Sequence, residues 1–280
     1  MILAGGAFNS PQLLQLSGIG PAALLQRLGI PVIADLPVGE GLQDHFYART
    51  FWRCCRPLTL NDDMASWLGR VRIGAQYLLR RQGPLTIAAG YAAAFVRTRP
   101  QLKRPDVQIY FINFSTAKRG GVLHPFSGFT CSVSQLQVES RGSVAIRTPD
   151  PAEPPAIRYN YLATENDRRV MVDGVKLVRR IVNTPPLSEH VTAEELPGAK
   201  VQSDDELLAF VREYGETVFH PTSTCSMGAV LDQRLRVKGI GALRVIDASV
   251  MPAVPSGNIN AAVIAVAEKG ADLLQQDASL

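Results

Sequence analysis

Histidine is scarce in this sequence, and one of its four histidines lies in a segment of distinctive composition. His220 follows an apolar stretch and precedes small hydroxyl residues, in the order Val218-Phe-His-Pro-Thr-Ser-Thr-Cys-Ser-Met-Gly228. The proline after His220 favours extended backbone there and prevents a helix from continuing. An imidazole in a partly apolar setting with hydroxyl neighbours is typical of a general base. Taken alone, the segment slightly favours a loop histidine whose hydrogen bonds are satisfied.

A second group of candidate residues lies near the C-terminal end. Asp247 ends a predicted strand and is followed by Ala248, which suits a ligand hydroxyl or phosphate that approaches the backbone. Asn258 and Asn260 precede an almost uncharged helix that starts near Ala261, and either could simply cap it. Because this helix is nearly all small and apolar, we expect its N-terminus to be buried. Free N–H groups at a buried helix start favour an anionic partner.

Spacing and composition exclude several other chemistries. The sequence has no His-x-x-x-His, His-Glu-x-x-His or Cys-x-x-Cys, so no metal is predicted. It has no Gly-x-Ser-x-Gly elbow of a serine hydrolase and no Gly-x-Gly-x-x-Gly dinucleotide fingerprint. A net charge of +4, evenly spread, argues against a nucleic-acid partner. Four cysteines without a pairing pattern indicate reduced thiols and predict a cytoplasmic location.

The elements that must position these residues are of mixed type. The 280 residues, 46% hydrophobic, are enough for one large domain or two ordinary ones. Short strands are predicted at the first three residues and at 243–247, and β-rich runs at 107–114, 129–139 and 143–147. The order helix, mixed β, helix, strand, helix indicates an α/β (α+β) fold. Both ends of the chain are expected to belong to one unit.

Capping signals predict where the helices begin. Ser10 followed by Pro11 predicts a helix start with Ser10 as the N-cap. Thr164 is predicted to cap an amphipathic helix. The apolar positions of that helix are Val170, Val175, Val178 and Ile181. The sequence Ser203-Asp-Asp-Glu206 is a capping box that opens a helix to about residue 213.

Several motifs, taken together and in order, resemble those of the glucose–methanol–choline (GMC) flavin oxidoreductases. Residues 6–20, from Gly-Ala-Phe-Asn-Ser to Ser-Gly-Ile-Gly, are similar to the family's second signature, and residues 38–45, Val-Gly-Glu-Gly-Leu-Gln-Asp-His, to the loop after it. Residues 219–228, 245–252, 256–261 and 268–272 resemble its C-terminal motifs. The similarity runs nearly end to end, and the choline-dehydrogenase-like branch resembles this chain most.

The resemblance implies an FAD-dependent enzyme that oxidises an alcohol by hydride transfer to the flavin N5. His220 matches the catalytic histidine that removes the hydroxyl proton. Asn258 matches a position, histidine or asparagine in different members, that hydrogen-bonds the substrate oxygen. The helix start at Asn260 and Ala261 is expected to face the flavin edge where negative charge collects. Asp247 and Ala248 match positions near the FAD ribityl and pyrophosphate groups. The chain departs from the family's usual residues at Gly41 and Ser223.

The resemblance also implies a domain organisation. Residues 1–46 and 214–280 are expected to be segments of a Rossmann-like FAD-binding domain, and the second of them carries the catalytic motif. Residues 47–213 are expected to form a substrate-binding domain with a mostly antiparallel sheet flanked by helices. The family's N-terminal Gly-x-Gly-x-x-Gly unit is absent from these residues, so the FAD domain is expected to be incomplete. The expected partners are an alcohol, an electron acceptor (oxygen, a quinone or a carrier) and the missing N-terminal half. The alternative is a non-catalytic fragment or assembly module of a GMC-type flavoprotein, and an upstream reading frame encoding Gly-x-Gly-x-x-Gly would discriminate between the two.

Overall fold

The computed structural model describes residues 1–88 and 90–278, which fold into helices, short strands and one larger sheet. The helices are α1 (Gly6–Leu16), α2 (Ala22–Arg27), α3 (Leu60–Ala65), α4 (Trp67–Arg80), α5 (Glu165–Val182), α6 (Asp204–Tyr214) and α7 (Asn260–Ala278). The strands are β1 (Ile2–Leu3), β2 (Ile19–Gly20), β3 (Ala34–Asp35), β4 (Glu40–Leu42), β5 (Phe46–Cys54), β6 (Ala92–Val96), β7 (Val107–Ile112), β8 (Gly128–Gln135), β9 (Gly142–Ala145), β10 (Ala156–Arg158), β11 (Val191–Leu196), β12 (Glu216–Thr217) and β13 (Arg244–Val245). The mixed α/β fold class is therefore confirmed. No helix among the described residues combines the length and hydropathy of a membrane span.

The chain forms two compact units. Unit 1 comprises Met1–His45, Gln137–Asp167 and Thr217–Leu280, and unit 2 comprises Phe46–Leu136 and Arg168–Glu216. The segment 137–167, which the prediction placed with the substrate-binding residues, lies in unit 1. The reason is local pairing, because β9 pairs with β4 and the amide of Ile146 donates to the side-chain oxygen of Gln15 at 2.8 Å. The functional assignment of the three predicted segments stays a prediction.

Unit 1 is assembled from short strands and helices around an apolar core. The N-terminal strand β1 pairs in parallel with β13, while β10, β9 and β4 form an antiparallel sheet and β2 pairs in parallel with β3. The core is made of apolar, mainly aliphatic, side chains from α1, β2, β13, α7, the loop before β4 and the loops that follow His220. Its buried members are Leu14, Ile19, Val38, Cys225, Val230, Leu231, Leu235, Val237, Val245, Val250 and Leu273.

The predicted start of α1 at Ser10 is wrong. The helix begins at Gly6, and Pro11 lies inside it. The hydroxyl of Ser10 accepts from the amide of Gly5 at 2.9 Å and donates to the Asp247 carboxylate at 2.5 Å. That carboxylate also accepts from the amide of Gly6 at 2.9 Å. A residue far away in the sequence therefore caps this helix, and a local capping signal cannot reveal it.

Unit 2 contains an antiparallel sheet in the order β11-β5-β8-β7-β6, with β12 on β5. Helix α5 packs on one face of this sheet. A Cβ at Gly174 would lie 2.7 Å from a Val133 methyl group and 3.6 Å from one of Val107, so glycine allows the helix to approach closely. Strand β7 lies within its predicted β-rich run, and β8 and β9 each begin one residue before theirs. The expected antiparallel sheet with a flanking helix is confirmed.

The capping signals of the two later helices are confirmed. The amide of Asp167 donates to the Thr164 hydroxyl at the start of α5, and Ser203 and Glu206 form the capping box of α6. All but one of the predicted apolar positions in α5 are buried, namely Val170, Val175 and Val178. Ile181 is 38% exposed, whereas Val182, the next residue, is fully buried. The apolar face thus turns by one residue at the end of the helix.

Candidate functional site

The site is built by two segments of unit 1 that lie side by side. The backbone of Gln43 exchanges two hydrogen bonds with that of Thr222, N to O at 3.2 Å and O to N at 2.8 Å. Further along the same pair of segments, the amide of Val218 donates to the carbonyl of His45 at 3.1 Å. This antiparallel pairing brings the loop after β4 against the segment that carries His220.

The pairing places two imidazoles in contact. The Nδ1 atoms of His45 and His220 are 2.9 Å apart, and the ring planes are inclined at 82°. His45 is 1% exposed, and His220 is half-buried. A hydrogen bond between two Nδ1 atoms requires that one ring donates a proton there and the other accepts it. If His220 donates, its Nε2 carries the lone pair and can accept a proton from a third group.

Asp44 lies immediately before His45 and is 2% exposed. Its Oδ1 accepts from the amide of His220 at 2.8 Å, and its Oδ2 accepts from the hydroxyls of Thr217 and Tyr161, both at 2.5 Å. Burial, followed by the negative charge of Asp44, raises the pKa of Tyr161, so this phenol remains a donor. The buried carboxylate therefore has three donors that satisfy it.

The turn that leads to His220 has a left-handed backbone at a bulky residue. Phe219 has a φ of 62°, and its side chain is 63% exposed. The amide of Phe219 donates to the hydroxyl of Thr217 at 2.8 Å. Side chains other than glycine rarely adopt this φ, and the surrounding bonds must hold it.

Gln43 connects the His220 segment to the loop that precedes Asn258. Its side-chain nitrogen donates to the carbonyl of Val138 at 2.5 Å, and its side-chain oxygen accepts from the amide of Val254 at 3.0 Å. Asn258 follows in the loop between Val254 and α7 and is exposed. The buried Gln43 therefore contacts both the segment that carries His220 and the loop that carries Asn258.

The carboxylate of Asp247 is fully used within the protein. One oxygen accepts from the amide and the hydroxyl of Ser249 at 2.8 and 2.5 Å, and the other accepts from Gly6 and Ser10 as described above. Asp247 is 7% exposed. Because these four donors already occupy the carboxylate, a contact with FAD at Asp247 or Ala248 would have to use backbone atoms.

The start of α7 differs from the expectation. The helix begins at Asn260, and both Asn260 and Ala261 are exposed in the described chain, so the predicted burial of this N-terminus is wrong there. Its first turn carries no acidic residue. The amides of an exposed first turn are available to a polar acceptor, which fits the acceptor-rich pyrimidine edge of a flavin. On this observation the residues present fit that part of FAD, while the fingerprint for its ADP part is not among these 280 residues.

Cys225 lies in the same run as His220 but has the properties of a packing residue. Its side chain is fully buried in the core of unit 1. Burial raises the pKa of its thiol to about 12, so the thiol remains protonated near neutral pH. Its amide donates to the carbonyl of Ser249 at 2.9 Å. Cys225 therefore anchors this segment to the Asp247 loop rather than serving as a nucleophile.

The family of the protein follows from comparison with known proteins. Residues 1–47 and 138–267 match the two family models of GMC oxidoreductases. The chain belongs to the GMC oxidoreductase family.

Its relatives agree with this assignment. The chain is 40% identical over 99% of its length to an oxygen-dependent choline dehydrogenase of Serratia proteamaculans, covering 50% of that protein. It is 41% identical over 98% of its length to an oxygen-dependent choline dehydrogenase of Pseudomonas fluorescens, covering 49% of it. The chain thus spans about half the length of these curated relatives.

Solved structures resemble the chain along nearly its whole length. A formate oxidase of Aspergillus oryzae RIB40, studied for its FAD modification, superposes with a TM-score of 0.91 at 27% identity, over 99% of this chain and 54% of that one. Pyridoxine 4-oxidase from Mesorbium loti superposes with a TM-score of 0.83 at 28% identity, over 98% of this chain and 51% of that one.

The sequence-based prediction finds His220 but misses its two neighbours in space. Asp44 and His45 stand in the motif at 38–45, yet nothing local assigns them a part in the site. The available signal is the scarcity of histidine, because only three others exist that can be considered as a partner of His220.

Proposed function

We propose that the whole protein is an FAD-dependent oxidoreductase that acts on the CH–OH group of an alcohol, with His220 as the base. The observation that carries this proposal is the contact between the Nδ1 atoms of His220 and His45 at 2.9 Å. The contact allows two directions, and the proposal takes the one in which His45 accepts from the Nδ1–H of His220, so that the Nε2 of His220 bears the lone pair that takes the hydroxyl proton.

The other predicted residues have supporting parts in this proposal. An amide side chain at Asn258 can orient and polarise the substrate oxygen but cannot accept the proton, so His220 is the sole base of the two. The first-turn amides at Asn260 and Ala261 would hold the flavin edge, and backbone atoms near Asp247 and Ala248 the ribityl or pyrophosphate region. Bound FAD would supply the hydride acceptor. The electron acceptor (oxygen, a quinone or a carrier) and the cytoplasmic location stay predictions.

The experiment is anaerobic mixing of the FAD-loaded whole protein with a panel of alcohols that includes choline, followed by flavin absorbance. We expect bleaching with at least one alcohol, and a rate lowered about 10²–10⁴-fold in His220→Gln, the usual contribution of a general base. His190→Gln removes a histidine of unit 2 and is the matched control, expected to retain the parent rate. A parental rate in His220→Gln would refute the base assignment, and an FAD-loaded protein that no alcohol reduces would favour the non-catalytic alternative.

A further inference from the structure

Beyond the base itself, we infer that Asp44 is a positioning residue that aims His220 by holding a strained turn through the hydroxyl of Thr217. This inference rests on the proposed function of His220. Every group in it belongs to unit 1.

The bonds around Asp44 form a closed chain. Its two oxygens accept separately, Oδ1 from the amide of His220 at 2.8 Å and Oδ2 from the hydroxyl of Thr217 at 2.5 Å. A hydroxyl has one proton, so Thr217 donates to Asp44 and uses a lone pair to accept from the amide of Phe219 at 2.8 Å. Asp44 therefore binds both ends of the turn 217–220 and orients the hydroxyl that holds its middle.

The turn requires such support. Phe219 has a φ of 62°, which residues with a Cβ rarely adopt. Its side chain is 63% exposed, so burial in a core does not fix this conformation. The hydrogen bonds to Thr217 and Asp44 support this backbone conformation, and a small reorientation of His220 is enough to lower a rate strongly.

Asp44 also fixes the partner of His220. It is covalently joined to His45, whose carbonyl accepts from the amide of Val218 at 3.1 Å. One carboxylate thus sets both imidazoles relative to the same short backbone pairing. A change at Asp44 is expected to disturb the contact between the two rings from both sides.

The test uses two variants that each remove one hydroxyl from the same carboxylate oxygen. Thr217→Val removes the hydroxyl that also holds the amide of Phe219, whereas Tyr161→Phe leaves the bond between Thr217 and that amide in place. In the FAD-loaded whole protein we expect Thr217→Val to lower the rate of flavin reduction at saturating alcohol at least 10-fold. We expect Tyr161→Phe to lower this rate less than about threefold. Thr217→Ser keeps the hydroxyl, and we expect it to retain the parent rate.

A further variant separates backbone strain from a general loss of stability. Glycine adopts a positive φ freely, so adding Phe219→Gly to Thr217→Val should raise the rate at least about fivefold if the turn is what Thr217 holds. Equal losses in Thr217→Val and Tyr161→Phe, or no recovery with glycine, would overturn the inference.

A readout independent of turnover distinguishes this inference from the proposed function. The rate at which diethyl pyrocarbonate modifies His220, followed by peptide mass spectrometry, should rise at least about threefold in Thr217→Val and stay at the parent value in Tyr161→Phe, because only the former releases the turn. An unchanged modification rate in Thr217→Val contradicts the positioning role whether or not any alcohol reduces the flavin. A changed modification rate in a protein without alcohol-dependent bleaching would contradict the proposed function alone.

Discussion

Replacing Asp247 with asparagine tests whether this carboxylate is chiefly a structural tie. Asparagine keeps one carbonyl oxygen, which can still accept from Ser249, but its NH₂ group cannot accept from the amide of Gly6 or from the Ser10 hydroxyl. Two hydrogen bonds to a buried charged group are lost, and at the lower end of roughly 1.5–3 kcal/mol for each bond we expect the free energy of unfolding to fall by about 3 kcal/mol. At roughly 2–4 °C per kcal/mol, the melting temperature should fall by about 6–12 °C.

The assay is thermal unfolding of parent and variant proteins followed by circular dichroism. Asp35→Asn is the matched control, because the exposed Asp35 accepts from the amide of Ala22 through a single oxygen that asparagine retains. Its effect should stay within about 0.5 kcal/mol, as for most surface substitutions. If Asp247→Asn also stayed within that limit, the two hydrogen bonds from Gly6 and Ser10 would contribute no net stability, and our account of the α1 start would be refuted.

Two further predictions concern local packing and pH. Gly215→Ala should destabilise the protein by about 1–3 kcal/mol, measured by urea denaturation, because its Cβ would lie 2.1 Å from the Phe46 ring. Gly239→Ala has open space around the new Cβ but a φ of 76°, and it should cost about 1 kcal/mol. A larger loss of stability in Gly239→Ala than in Gly215→Ala would contradict the steric reasoning. Hydrogen bonds from Ser203 lower the pKa of Glu206, so its capping contribution is present above the unfolded pKa and is lost as the pH falls through the folded one. The loss of amide protection in the first turn of α6 is therefore expected as the pH falls below about 4.5, and Glu206→Gln should remove it. An unchanged pH dependence in this variant would show that another group is responsible.

The sequence predicts best where the determining contacts are local. The starts of α5 and α6 follow from side chains within three residues of the helix ends, Thr164 for the former and Ser203 with Glu206 for the latter. Two strands of the antiparallel sheet, β7 and β8, are likewise visible as β-rich runs, whereas β5, β6 and β11 of the same sheet are not predicted. The family motifs add the position of His220, but its partner His45 lies 175 residues away in the sequence, and their contact depends on a backbone pairing that has no local signal.

The start of α1 shows how a correct local rule can fail. Serine before proline is a common helix start, but Ser10 is used here to connect Gly5 with a carboxylate 237 residues away. Pro11 inside the helix leaves the carbonyl of Ala7 without its usual i+4 donor, and the hydroxyl of Thr224 donates to that carbonyl at 2.7 Å. Neither compensation can be inferred from the residues around position 10.

The same hydrogen bond changes the interpretation of the hydroxyl-rich run after His220. The small polar residues there suggest, from the sequence, the surroundings of a general base, yet the structure uses them to satisfy backbone groups of neighbouring segments. The hydroxyl of Thr224 donates to the carbonyl of Ala7 in α1, and the backbone of Thr222 pairs with that of Gln43. Because this segment lies between others without forming a regular sheet, its neighbours leave backbone groups that short hydroxyl side chains can reach. The run is therefore a scaffold for His220, and the chemistry we propose depends on the imidazole contact with His45 and on the carboxylate that holds both residues.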